Sequence, residues 1–162
     1  MTEKPVVHST FTIERNYTAP PSRVFAAFAD RTTKRRWFAE GSSFEVKEFA
    51  MDFRVGGRES TRSLFQGGPE GAPPKGTELR NDTTYQDIVP NRRVVLAYTM
   101  TIGDKRISAS LATIELRASG DGTHLVFTEQ GAFFEGADSP QMREGGWRDL
   151  LSKLDEELRT SS

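Results

Sequence analysis

Cysteine is absent from this chain, so disulfides, thiol catalysis and thiolate metal sites are excluded together. Histidine is scarce. His8 lies in the N-terminal stretch, and His124 shares the outward parity of Val126 and Thr128. That inventory supports neither a histidine base nor a metal centre, and no cofactor is expected. Neither sign of charge is in excess: 22 Lys and Arg stand against 23 Asp and Glu, a formal net charge of −1. There is no reason in that balance to expect nucleic acid or another polyanion as partner. Long apolar runs are missing too. No window approaches a membrane span and residues 1–8 lack a signal-peptide core, so the expected setting is soluble and cytoplasmic. The sequons Asn16-Tyr17-Thr18 and Asn81-Asp82-Thr83 carry no meaning outside secretion.

What is present is patterned. At 162 residues the length fits one domain able to bury about two-thirds of its chain surface without staples. Residues 139–160 form the stretch around which the rest is organised. Ser139 is an N-cap and Pro140 a first helical residue whose missing N–H costs nothing. Trp147, Leu150, Leu151, Leu154 and Leu158 then draw one apolar stripe, with charged residues on the other faces. Gly145 and Gly146 interrupt it, each at a cost of about 1 kcal/mol relative to Ala. The reading is a long helix over a sheet, with close backbone approach at the glycines or a gap beneath them.

Ahead of it, residues 1–8 read as a disordered tail and residues 9–18 as a strand with Phe11, Ile13, Arg15 and Tyr17 on one face. Pro20-Pro21 starts a short helix with Val24, Phe25 and Phe28 facing in, and residues 32–39 form a second, ending in Trp37-Phe38. Strands are expected over 44–53, 58–66, 77–88, about 94–102, 106–117 and 123–134. Gly56-Gly57 gives a turn or bulge, and residues 119–122 give a hairpin. The Gly/Pro-rich run 67–76 lacks the Gly-Lys-Ser/Thr ending of a phosphate loop and reads as an exposed connection. Seven strands, two short helices and one long terminal helix make an α+β domain. Arg31, Lys34, Arg35 and Arg36 read as a solvated helix face, or as a docking site for an acidic partner. Asp52 and Asp87, near turns, read as solvated.

Several segments then carry a resemblance: Arg15-x-Tyr17-x-Ala19-Pro20-x-x-x-Val24-Phe25, Arg36-Trp37-Phe38, Asp52-x-x-x-Gly56-Gly57 and Tyr85-x-Asp87-Ile88-x-Pro90-x-x-Arg93. Gly122-Thr123-x-Leu125, Thr128-Glu129-Gln130-Gly131 and Gly145-Gly146-Trp147-x-x-Leu150-Leu151-x-x-Leu154 continue it. Together they resemble the activator of heat shock protein 90 ATPase homologue family, within the START-like, or SRPBCC, superfamily. The resemblance spans residues 9–158. It implies a helix-grip fold, a curved antiparallel sheet wrapped around the C-terminal helix with a cavity between them, as a single START-like domain over 9–160. The eukaryotic activators of this kind place a separate chaperone-binding domain ahead of this one, and nothing in residues 1–10 could stand in for it.

In that fold the first and last strands are neighbours, so Arg15 and Glu129, both inward by parity, are expected to meet. They would form a structural ion pair or a cavity-floor pair holding a polar ligand group. Facing an arginine, Glu129 would keep its charged form and make a poor general acid. Trp37, Tyr85, Tyr98, Ser108, Ser110 and Trp147 can also face inward, either as packed core or as pocket lining; Phe38 and Leu151 complete the candidate cavity set. No catalytic or metal-binding residue is expected. Three functions remain open: a binding domain for a small hydrophobic or amphipathic ligand, a cyclase- or dehydratase-like enzyme of the same superfamily, or a chaperone-interacting module. The fold alone suggests a homodimer.

Overall fold

Alternating apolar and polar residues recur along much of this chain, and in the computed structural model, which describes residues 5–41, 43–134 and 138–160, these runs are strands. They are β1 (Val7–Tyr17), β2 (Phe44–Met51), β3 (Arg58–Phe65), β4 (Glu78–Val89), β5 (Arg93–Ile102), β6 (Lys105–Ser119) and β7 (Gly122–Phe133). They make one curved antiparallel sheet in the order β1-β7-β6-β5-β4-β3-β2. Helix α1 (Pro21–Ala29) follows β1. Helix α2 (Arg31–Lys34) then runs into a π-helical turn at Arg35–Ala39, and α3 (Pro140–Thr160) closes the chain. This is the α+β helix-grip arrangement that the resemblance implied.

The ends of the elements have local causes. Ser139 caps α3 as expected, its Oγ accepting from the Met142 N–H at 3.1 Å. Asp30, passed over in the sequence, caps α2 by accepting from the Thr33 N–H at 2.9 Å, so α2 starts at Arg31. β1 begins at Val7, earlier than expected. Val7 and His8, read as part of a disordered tail, lie opposite Phe133 and Ala132 of β7; residues 1–4 are outside the described residues. β2 stops at Met51, two residues short of the expected end; one more ladder bond, from the Asp52 N–H to the Arg58 carbonyl at 2.8 Å, is followed by the tight turn in which the Gly57 N–H donates to the Arg54 carbonyl at 2.8 Å.

The expected stripe on α3 is the one that is buried, except at Leu150, which is only partly buried and borders a cavity instead. Leu151 and Leu154 are closed off from solvent, with Trp147 and Leu158 nearly so, and each leucine contributes on the order of 2–3 kcal/mol by burial. They pack with Ile13, Ile114, Leu125 and Phe127 of the concave face. Phe127 and Trp147 stand 4.3 Å apart between ring centroids. The stripe also runs one turn further back than expected, to a buried Arg143.

Of the two explanations for Gly145-Gly146, close approach is ruled out. A Cβ built on either residue meets nothing within 4 Å. Each glycine therefore weakens α3 with no steric return, and Gly145→Ala is expected to stabilise the fold by about 1 kcal/mol. Urea denaturation of the variant beside the parent protein checks this; an unchanged or lowered midpoint would mean that the helix must bend here.

Candidate functional site

The N-terminal half of α3, the π-helical turn and the concave face of β2–β5 leave a cavity of about 700 Å³ between them. Phe38, Trp147 and Leu150 line it on the helical side, and Leu79, Met100 and Ile102 on the sheet side. α3 presents two adjoining stripes. Arg143, Trp147, Leu151, Leu154 and Leu158 enter the core, while Met142, Gly146, Leu150 and Lys153 border the cavity. Met142, at 66% exposure, stands at its mouth.

At the α3 end is a buried polar cluster centred on Arg143, itself 6% exposed. Its guanidinium donates to Ser108 Oγ at 2.7 Å, Ser110 Oγ at 3.3 Å and the Tyr98 hydroxyl at 3.0 Å. It also pairs with Asp138 at 2.7 Å and lies 3.6 Å from Glu129 Oε2. Gly131 opposite Ser110 keeps this place open, since a Cβ there would lie 3.1 Å from the serine Oγ. The Tyr98 hydroxyl donates to Glu129 Oε1 at 2.6 Å and accepts from Trp147 Nε1 at 3.2 Å as well as from Arg143. One donor and two acceptor positions are thus all in use. Burial holds the Tyr98 phenol well above its ordinary range.

Glu129 is fully buried and its Oε2 has no hydrogen-bond partner. Burial pushes its carboxyl above the ordinary carboxylate range, against the opposing pull of the Tyr98 hydrogen bond and the Arg143 charge. This corrects the expectation that its charged form is favoured: desolvation outweighs a cation 3.6 Å away.

A second cluster sits at the other end. Lys34 and Glu59, each 3% exposed, pair at 2.7 Å, and the Tyr85 hydroxyl donates to the same Glu59 oxygen. Lys34 Nζ also stands 4.7 Å from the centre of the Phe38 ring. The reading of 31–36 as a solvated basic face is therefore wrong at Lys34, which turns inward with Trp37. Arg35 and Arg36 do reach outward acids, Glu40 and Glu157.

The ten candidate residues separate in the structure. Phe38, Tyr98 and Trp147 border the cavity; Arg15, Trp37, Tyr85, Ser108, Ser110, Glu129 and Leu151 do not. Trp37 is core, its indole N–H donating to the Ala27 carbonyl at 2.9 Å, and Leu151 packs in the same core. Tyr85 is held by Glu59, and the two serines by Arg143. The expected Arg15–Glu129 pair does not form. Both point inward, but β1 and β7 register Phe11 against Glu129 and Arg15 against Leu125, roughly 13 Å apart along the strands. Arg15 instead donates to the Arg148 carbonyl at 3.1 Å, and the partners of Glu129 come from β5 and α3.

Missed in the sequence were Arg143, Asp138, Lys34, Glu59, Thr61 and Asn81. Thr61 and Asn81 face one another across β3 and β4 and both line the cavity. Thr61 Oγ1 and Asn81 Oδ1 are buried without a hydrogen-bond partner. The signals were there: Arg143 lies four residues before Trp147, Lys34 three before Trp37, and Glu59 shares parity with Thr61. Among the described residues no group of His, Asp and Glu is arranged to hold a metal ion, and no helix is long and apolar enough to cross a membrane.

Comparison with known proteins gives consistent neighbours. The chain is similar to the solved Mll3558 protein from Rhizobium loti, at 52% identity and a TM-score of 0.83 over 95% of this chain and 99% of that one. A putative uncharacterized protein from Rhizobium leguminosarum is 37% identical with a TM-score of 0.84 over 96% and 97% of the two chains. Protein CV1439 from Chromobacterium violaceum is 25% identical with a TM-score of 0.74 over 94% and 98%. No curated protein matches. The model of one family, described as Activator of Hsp90 ATPase homolog 1-like protein, matches residues 18–159. With most of its length matched, its sheet clasping a terminal helix and these relatives beside it, the chain belongs to the Activator of Hsp90 ATPase homolog 1-like family.

Proposed function

We propose that this chain binds a small, largely apolar molecule in the cavity beneath α3 and holds it without transforming it. The observation that carries this reading is the cavity of about 700 Å³ walled by Phe38, Trp147, Leu150, Met100 and Ile102. That volume is ordinary for small-molecule sites, which run from about 300 to 1,000 Å³. The charged groups at its two ends are engaged with each other, Lys34 with Glu59 and Arg143 with Asp138. An enzyme of the cyclase or dehydratase kind needs an acid or base free to act on a substrate held inside, and the other carboxylates of the lining, Glu40, Glu78 and Asp149, are exposed or half-exposed. Tyr98 has its hydroxyl fully engaged, and Glu129 sits behind it rather than in the cavity wall. The chaperone ATPase activation in the family's description is a property of the proteins so named, and we do not carry it to this chain.

Gly146 supplies the test. It lies between Met142 and Leu150 on the stripe that borders the cavity, with open space where its side chain would be. The neutral dye N-phenyl-1-naphthylamine is expected to bind the parent protein saturably, one per chain, with enhanced fluorescence. Gly146→Phe is expected to weaken that binding about tenfold or more, the equivalent of at least 1.4 kcal/mol, while circular dichroism and the unfolding midpoint stay those of a folded protein. Dye that fails to bind the parent, or binds the variant equally well, would overturn the proposal.

A further inference from the structure

The cavity contains one polar feature that the rest of the fold does not satisfy. Thr61 and Asn81 are directly opposed in β3 and β4, both border the cavity, and Thr61 is 6% exposed. Thr61 Oγ1 and Asn81 Oδ1 have no partner, whereas the polar clusters at the two cavity ends are knitted together by hydrogen bonds. An orphaned buried hydroxyl and an orphaned amide oxygen side by side are costly unless something completes them. Thr61 meets the cavity through its other atoms, and a turn about χ1 exchanges its methyl for its hydroxyl, a step between ordinary staggered positions.

We propose that Thr61 and Asn81 are the polar anchor of the cavity and select a ligand whose buried end is neutral and carries both a donor and an acceptor, a hydroxyl or a primary amide. This rests on the ligand-binding reading above. Asn81 Oδ1 is closed off in the same way and must turn with its amide; once both face the cavity, a single alcohol oxygen completes the pair by donating to Asn81 Oδ1 and accepting from the Thr61 hydroxyl. A carboxylate can accept from the Thr61 hydroxyl and the Asn81 amide N–H groups but has no proton for Asn81 Oδ1, and it would bring a full charge into the cavity. The buried cations of the cavity wall, Lys34 and Arg143, are already held by Glu59 and Asp138 at 2.7 Å. A bare hydrocarbon leaves both atoms orphaned. The anchor thus excludes free fatty acids from head-first entry and favours the corresponding alcohols and amides, whose tails would lie against Met100, Ile102, Leu150 and Trp147.

The experiment compares 1-octanol, octanamide, octanoate and octane as competitors of N-phenyl-1-naphthylamine on the parent protein and on Thr61→Val and Asn81→Leu. In the parent, the alcohol and the amide are expected to displace the dye at about tenfold lower concentration than octanoate or octane, the worth of one net hydrogen bond. Thr61→Val is expected to erase most of that advantage. It is also expected to raise the unfolding temperature of the unliganded protein, because an unpaired buried hydroxyl is removed while the shape is kept. Three results overturn the anchor alone: equal competition by all four probes, an alcohol preference that survives both substitutions, or a lowered unfolding temperature for Thr61→Val. So does a preference for octanoate, which would place the head at Lys153 by the mouth. Failure of the dye itself to bind the parent removes the ligand-binding reading, and the anchor falls with it.

Discussion

Arg143→Met is expected to destabilise the fold by about 3–5 kcal/mol, the usual cost of removing one partner from a buried charged pair. The methionine fills much of the same volume, so the loss measures what the guanidinium satisfies: Ser108, Ser110, the Tyr98 hydroxyl and the two carboxylates. The loss should depend on pH in a defined direction. Burial raises the Glu129 carboxyl in the folded protein above its unfolded value, so between those two values the folded chain binds more protons than the unfolded one. Stability attached to this group is therefore complete below the ordinary carboxylate range and falls as pH rises toward the folded value. Removing the cation raises that upper limit further, so the defect of Arg143→Met should grow as pH rises above the ordinary carboxylate range. Glu129→Gln should flatten the slope, and in the double variant the two losses should not add, since the groups are in contact. Urea denaturation across that pH range checks all three. A pH-independent defect, or simple additivity, would mean that Arg143 acts only through packing.

Lys34→Met is expected to cost a similar amount, about 3–5 kcal/mol, although Lys34 sits in a run of basic residues that reads as surface. Its ammonium is the cation beside Glu59, whose other side-chain partner among the described residues is the Tyr85 phenol. Arg35→Met, one residue on and paired to an exposed Glu40, should cost less than about 1 kcal/mol. The contrast between neighbours is the result to look for. Pairing Lys34→Met with Glu59→Leu should recover a good part of the loss, because no uncompensated charge is then left inside. Equal small effects at both positions would show that the Lys34 side chain is solvated and can leave its pocket without cost.

These two positions also show where the sequence stops being informative. The strands and the buried face of α3 were legible because each repeats a period many times over, and the hairpin at 119–122 because Gly120-Asp121 is turn chemistry. Arg143 and Lys34 obey the same periods as Trp147 and Trp37, but one is a lone charge at the end of an apolar stripe. The other is a charge among charges, and composition pulled both readings toward solvent. Arg15 and Glu129 failed for another reason. Alternation fixes which face a residue takes, yet a slide of two or four residues leaves every face unchanged, so it could not tell whether these charges lie side by side or four residues apart. Parity could place Thr61 on a face, but nothing in the sequence marked Thr61 and Asn81 as a site, because a threonine and an asparagine on facing strands stand out only once their partners have been counted.

Sheet order has its own consequence for how the molecule comes into being. From β2 to β7 every strand pairs with its neighbour in the chain, so five pairings can zip up one after another as the polypeptide emerges. β1 is the exception. Its place is against β7, and closing so long a loop carries the largest entropic penalty of any pairing in the sheet. During synthesis β1 must wait, unpaired, until β7 has left the ribosome, and α3 can be gripped on both sides only after β1 has arrived.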